Sequence, residues 1–287
     1  MTTTLNAPQV ERARTSPVAT EKPPRFGRSA RFLGRAARSS TAIVLLLAAW
    51  ELVPRYVLDE GTRTFLPPVS EDFVALWGLI ENGQLLDHLQ ASLTRSAVGF
   101  AIAVTVAVPL GLLIAWYKPL AAYLNPLLEL ARNTAALALL PVFTLLLGIG
   151  ETSKISLVVY ACVWPVLLNT IAGVRTVDPL LVKAARSLGL SNPTLFRKVI
   201  LPSAVPTIFT GIRMAGSYAI LVLIAAEMVG AKAGLGYLIN TTQANFEIPK
   251  MYAGIIAVSV LGLLVNQGFV LFERRFSTWR RQGEGSH

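Results

Sequence analysis

Long apolar runs separated by short polar stretches dominate the chain. Six of them predict membrane helices, at about 41–58, 93–116, 133–149, 155–175, 207–229 and 251–272, because roughly 20 apolar residues are needed to cross the hydrocarbon. The first run is the least regular, broken by Glu51 and Pro54, with Trp50 and Tyr56 suited to an interface. Residues 120–149 are too long for one perpendicular crossing. Glu129 and Arg132, three apart, can pair on a helix, so 120–132 is expected to lie along the interface and 133–149 to cross. Between the first two runs, 59–92 reads as a polar connector carrying an amphipathic piece. Phe73, Leu76, Trp77 and Ile80 share one face of that piece, which is expected along the outer surface.

The largest polar interruption of the second half is KAARSLGLSNPTLFRKVILP, residues 183–202. It predicts two short amphipathic helices end to end. Asp178 is placed to cap the first, Pro179 to start it and Gly189 to close it. Leu180, Leu181, Ala184, Ala185 and Leu188 recur at helical spacing, with Lys183, Arg186 and Ser187 opposite. In the second helix Asn192 caps, Pro193 starts, Leu195, Phe196, Val199 and Ile200 form the stripe, and Pro202 stops it. Helices this short are marginal alone, so their apolar faces need a surface. A membrane surface and a groove in a soluble partner both qualify.

Composition makes the class definite. Of 287 residues, 53% are hydrophobic and only 15% charged, which describes a multi-pass membrane protein. The net charge of +10 does not imply nucleic acid, because the basic residues flank the apolar runs. With the N-terminus inside, 18 of the 26 Lys and Arg are cytoplasmic and five are outside, so both termini and the loop 176–206 are expected in the cytoplasm. Residues 1–40 read as a disordered basic arm that lipid headgroups can attract, and 274–287 as a basic tail. A signal peptide does not fit, because the run from Thr41 follows a long arm without a small-residue cleavage site. The single cysteine, Cys162, and two distant histidines, His88 and His287, leave no basis for a disulfide framework or a metal site.

Ionisable and amide residues within the runs are the candidate pathway groups. Glu227 is expected to pair with a basic residue on a neighbouring helix, Arg95 or Arg132, in preference to contacting solute. Arg213 is expected to snorkel. Asn169, Asn266 and Gln267 can line a polar path or bond between helices, and Met214 and Tyr218 share a face of the fifth run. No phosphate-cradling G-x-x-x-x-G-K-[ST] loop and no credible Ser/His/Asp set is present, so the chain is not expected to be an enzyme. Energy must come from another chain.

The order Lys183, Ala184, Ala185, Gly189, Val199, Leu201, Pro202 resembles the E-A-A-x3-G-x9-I-x-L-P motif of ABC importer permeases, with Lys183 in place of Glu and Val199 in place of Ile. The strings LLGIGETSKISLVV, PVLLNTIAGVRTVDPLLVKAARSLG and AAEMVGAKAGLGYLI are similar to the branch importing aliphatic sulfonates, taurine, nitrate or bicarbonate. The likeness covers about 65–275. It implies an all-α membrane fold of six transmembrane helices, the type I importer permease fold, in a bacterial inner membrane. The connector and first helix are then 41–92 and the transmembrane domain 93–273. The partners implied are a dimeric ABC ATPase holding ATP and Mg, an extracytoplasmic substrate-binding protein and a second permease copy. The coupling residues implied are Lys183, Ala184, Ala185, Gly189, Leu195, Phe196, Leu201 and Pro202, and the pathway candidates remain Asn169, Met214, Tyr218 and Glu227. Sulfonate is the expected cargo. An ion-coupled secondary transporter is the rival class, thinly supported by one intramembrane acid.

Overall fold

The computed structural model describes residues 27–277, and among them every regular element is a helix. The chain divides between Trp50 and Glu51 into two units. The first holds most of α1 (Gly27–Tyr56). That helix begins well before Thr41, inside the stretch expected to be an irregular arm. Its segment 27–40 holds four arginines and three alanines and no proline, so its glycines and serines weaken the helix without breaking it. Residues 1–26 of the expected arm and 278–287 of the expected tail lie outside the described residues.

The second unit is organised around three long helices: α4 (Gln84–Trp116), α7 (Glu151–Arg175) and the continuous helix formed by α9 (Asn192–Leu195), a π turn (Phe196–Ile200) and α10 (Leu201–Glu227). The α4 face against α7 is a stripe of small residues four apart, Gly99, Ala103, Ala107 and Gly111, all buried. Small residues let backbones approach where lipid supplies no hydrophobic drive between helices. A Cβ at Gly111 would lie 2.7 Å from Thr170 Cβ, and one at Gly211 of α10 would lie 2.6 Å from Asn169 Cβ. Any side chain at either position must therefore push two helices apart. Val158, Cys162, Val166 and Ala215, Ala219, Leu223 fill the rest of this core.

Residues 118–147 divide close to the boundary expected between 132 and 133. They form α5 (Lys118–Asn133), a 3-10 turn (Ala136–Leu139) and α6 (Leu140–Leu147), with α5 and the following piece bent by 87°. The eight residues of α6 rise only about 12 Å, so this part crosses as a broken pair or turns back. Among the described residues, four helices are individually long and apolar enough to span, and five if the bent pair counts as one.

Short helices close the end where α7 begins and α10 finishes. They are α2 (Glu60–Phe65), α3 (Val69–Glu81) and α11 (Leu235–Ala244), the last two packed on α12 (Ile248–Ser277). One side of α3 is turned to the protein and the other is left outward. Val69, Asp72 and Leu79 are buried, while Phe73, Trp77 and Ile80 are exposed. Val69, Ala75, Leu76 and Leu79 give it a second apolar side, so periodicity alone could not choose the inward one. The choice buries Asp72 with both carboxylate oxygens unpartnered. Burial, reinforced by Glu71 and Glu51, pushes its pKa up to about 7.

Candidate functional site

The loop 176–200 folds from its own signals. Asp178 Oδ1 accepts from the Leu180 N–H at 2.8 Å and caps α8 (Pro179–Ser187), as the sequence predicts. At the other end Gly189 has φ +78°, Leu190 N–H donates to Ala185 O at 3.2 Å and Gly189 N–H to Arg186 O at 2.9 Å. This is a Schellman closure with glycine in the left-handed position. The second helix differs from expectation at both ends. Ser191, not Asn192, is the N-cap, and Pro202 does not stop the helix but sits in the first turn of α10. Proline is tolerated there because it comes just after the π turn, where the regular i→i−4 ladder is already interrupted.

This loop is anchored by its own residues. Ala185, Leu195 and Ile200 are buried together with Trp116, Val174 and Val199 around them. Phe196 meets Trp116 edge-on, ring centroids 5.0 Å apart, a favoured aromatic arrangement. The tips of α4, α7 and α10 are thereby tied to α8. What remains outward on α8 is Leu180 at 70%, Leu181 at 52% and Leu188 at 80% exposure, with Lys183, Ala184 and Arg186 also exposed. Leu201 is half-buried and Pro202 exposed at the root of α10. The sequence stripe therefore divides into Ala185 and the α9 residues, used internally, and three leucines that are not. Periodicity found both sets but could not separate them.

The opposite end of the bundle is closed by a buried polar network. Glu227, fully buried at the last residue of α10, accepts from Arg95 Nη1 at 2.7 Å, from Ser92 Oγ at 2.7 Å and from the Gly236 N–H at 3.1 Å. Arg95 also donates through Nη2 to Glu151 Oε1 at 2.8 Å, through Nε to Glu151 Oε2, and through Nη1 to Ala233 O at 2.6 Å. Ser92 Oγ accepts from the Leu235 N–H, and His88 Nδ1 from the Gly234 N–H. One guanidinium thus joins α4, α7, α10 and the turn before α11. Of the two partners expected for Glu227, Arg95 is the one used, while Arg132 stands 3.7 Å from Glu129. A buried charge needs such pairing. Ser92, His88 and Glu151 had no signal in the sequence, because nothing local shows that helix ends 56 to 146 residues apart meet.

The remaining pathway candidates are spread along the bundle. Asn169 is half-buried, its Nδ2 donating to Pro165 O at 2.8 Å, and it lines a cavity of about 750 Å³ between α5 and α7. Met214 and Tyr218 are exposed on α10. Arg213 does not snorkel alone; its Nη1 donates to Glu273 Oε2 of α12 at 2.9 Å.

Comparison with known proteins places this architecture. The family described as binding-protein-dependent transport system inner membrane component matches residues 107–278. The protein named aliphatic sulfonates transport permease protein SsuC of Bacillus subtilis (strain 168) is 35% identical over 241 residues, 84% of this chain and 87% of its own. The taurine transport system permease protein TauC of Escherichia coli (strain K12) is 33% identical, covering 83% and 88%. The nitrate import permease protein NrtB of Synechocystis sp. (strain ATCC 27184 / PCC 6803 / Kazusa) is 31% identical, covering 82% and 86%. Among solved structures, the MetNI methionine ABC transporter in an inward-facing form superposes with TM-score 0.57 at 16% identity, over 67% of this chain and 96% of that one. An amino acid ABC transporter superposes with TM-score 0.55 at 24% identity, over 70% and 97%. The chain therefore belongs to the inner-membrane permeases of binding-protein-dependent ABC importers, in the sulfonate, taurine and nitrate branch and with the type I importer fold.

Proposed function

We propose that this chain forms the membrane pathway for a small anion, aliphatic sulfonate first, with taurine, nitrate and bicarbonate as alternatives. It works as a homodimer, with α1 as a further span and both termini in the cytoplasm. ATP and Mg are held by the ATPase subunits and none by this chain. The observation that carries the reading is mechanical: α8 is locked to the ends of α4, α7 and α10 through Ala185, Leu195, Ile200 and Trp116, while its leucines face outward.

In this reading Leu180, Leu181 and Leu188 enter a groove on the ATPase, and Lys183 and Arg186 meet its rim. Ala185, Leu195 and Phe196 transmit the load without touching the partner. Closure of the ATPase dimer on ATP moves the two α8 helices, and the bundle follows as a rigid body because its core is close-packed. Opening to the binding protein is favoured only so far as the ATP-bound ATPase grips one state better than the other. The Arg95 network then lies at the extracytoplasmic end, α7 rising about 37 Å from Glu151 to Arg175.

Leu181→Asp combined with Leu188→Asp tests this. Both side chains are exposed, so the variant is expected to melt like wild type in detergent yet lose co-purifying ATPase and ATP-dependent uptake of labelled taurine or sulfonate. Uptake that continues without any ATPase subunit would identify an ion-coupled carrier and overturn the reading.

A further inference from the structure

Most of the basic residues inside the bundle are already committed. Arg95 is engaged by Glu151, Glu227 and Ala233 O, and Arg213 is paired with Glu273. Two guanidiniums on one cavity are not. Arg132, near the end of α5, has only Glu129 at 3.7 Å, beyond hydrogen-bonding reach. Arg175, the last residue of α7, has no ion pair or hydrogen bond from its side chain among the described residues. Both line the cavity of about 750 Å³ between α5 and α7, together with Asn125, Asn169 and Glu129. On this side α5 meets the bundle core through Leu120, Ala121, Leu124 and Leu128.

We propose that this cavity is an anion-holding station on the pathway, in which Arg132 and Arg175 bind the oxygens of a sulfonate-like or nitrate-like oxyanion. The inference rests on the permease reading and names its site. Two permanent cations against one carboxylate leave a single positive charge, which matches a monoanion. A guanidinium offers several donors in a plane, the geometry that suits an ion with two or three oxygens on one centre. The two carboxamides add donors without charge, and Leu128 gives the wall an apolar patch against which a short alkyl group can lie. The volume is within the range of small-ligand pockets but far larger than such an ion, so the ion stays partly hydrated. Weak holding is what a passage needs, because an ion bound too tightly does not leave. The station lies at the α7 end that leads into α8, where opening of the dimer would release cargo.

Glu129 gives the test its sign. Equilibrium dialysis of radiolabelled methanesulfonate on the full-length permease in detergent is expected to show saturable binding, weakened about tenfold or more by Arg132→Gln or Arg175→Gln. Removing one charge-assisted contact has an effect of that size. Glu129→Gln should tighten binding, which a merely structural role for the cluster would not produce. Arg132→Lys and Arg175→Lys, which keep the charge, should lose less than the glutamine variants. They also show that any loss is not misfolding, provided each elutes as the wild type does. Dimethyl sulfone, of the same shape but uncharged, should not compete.

Absence of saturable binding to wild type, wild-type affinity in the Arg132→Gln, Arg175→Gln double variant, or competition by dimethyl sulfone would each overturn the proposal. Failure of the parent reading looks different. A chain that never captures an ATPase refutes the importer role while the dialysis still reports on the cavity. ATP-driven uptake unaffected in the double variant refutes the cavity alone.

Discussion

Arg95 Nη1 lies 2.7 Å from Glu227 Oε1 across 132 residues of sequence, with Glu227 wholly inaccessible and Arg95 nearly so. The pair fastens the start of α4 to the end of α10, and Glu151 brings in the start of α7. Arg95→Ala should lower stability in detergent by roughly 3–5 kcal/mol, because it strands a buried carboxylate. Arg95→Met with Glu227→Leu should lose much less than the two single losses added together. Thermal melting of the four proteins closes this cycle, and additive losses would show that the two residues act separately.

Gly234 supports the same carboxylate from the other side. Its φ is +121°, and a Cβ there would fall inside the Glu227 carboxyl group. Gly234→Ala should therefore behave like a Glu227 defect, lowering the melting temperature by a margin that shrinks in a Glu227→Ala background. An equal drop in both backgrounds would assign the cost to backbone strain alone.

Two helix ends carry the same closure with different residues in the left-handed position. After α8 it is Gly189; after α11 it is Phe246, with φ 57°, Phe246 N–H donating to Gln243 O and Glu247 N–H to Thr242 O. A side chain in that conformation costs roughly 1–2 kcal/mol. Gly189→Val should lose about that much, and Gly189→Asn less, since the space around Gly189 is open and asparagine accepts this backbone. Phe246→Gly should raise the melting temperature. A drop would mean that the exposed Phe246 ring makes a contact worth more than the strain.

Asp72 gives the stability a pH dependence of definite sign. Its pKa in the fold is raised to about 7 from 3.8. Between those values the folded protein holds a proton that the unfolded chain has released, so stability falls as pH rises through this window and levels off above it. The slope approaches about 1.4 kcal/mol per pH unit. Asp72→Asn should remove that slope between pH 4 and 7, read from melting temperatures across the range. An unchanged slope would show that Asp72 is not the titrating group.

How much of this was readable in advance follows from distance along the chain. Capping and periodicity are short-range, so Asp178 as a cap, Gly189 as a closure and the pairing of Glu129 with Arg132 were all legible within four or five residues. Helix breaks were less so. Pro202 is expected to stop a helix, but a proline that ends a helix and one that follows a π turn inside it look alike until the preceding turn is known. The break at Thr134 and Ala135 falls within two residues of the boundary expected between 132 and 133, because an apolar run too long for one crossing has to divide.

By itself the sequence determined an all-helical membrane chain, a loop of two short helices after α7 and a family motif, because all of these depend on composition and local spacing. Only the tertiary structure decided which of the loop's apolar residues are internal, that α3 turns Asp72 inward, and that Arg95 serves Glu227 while Arg132, beside Glu129, and Arg175 line one cavity. Each of those outcomes depends on which helices pack together. In a largely apolar sequence, that is settled by a few glycines and buried charges whose partners lie tens of residues away or more.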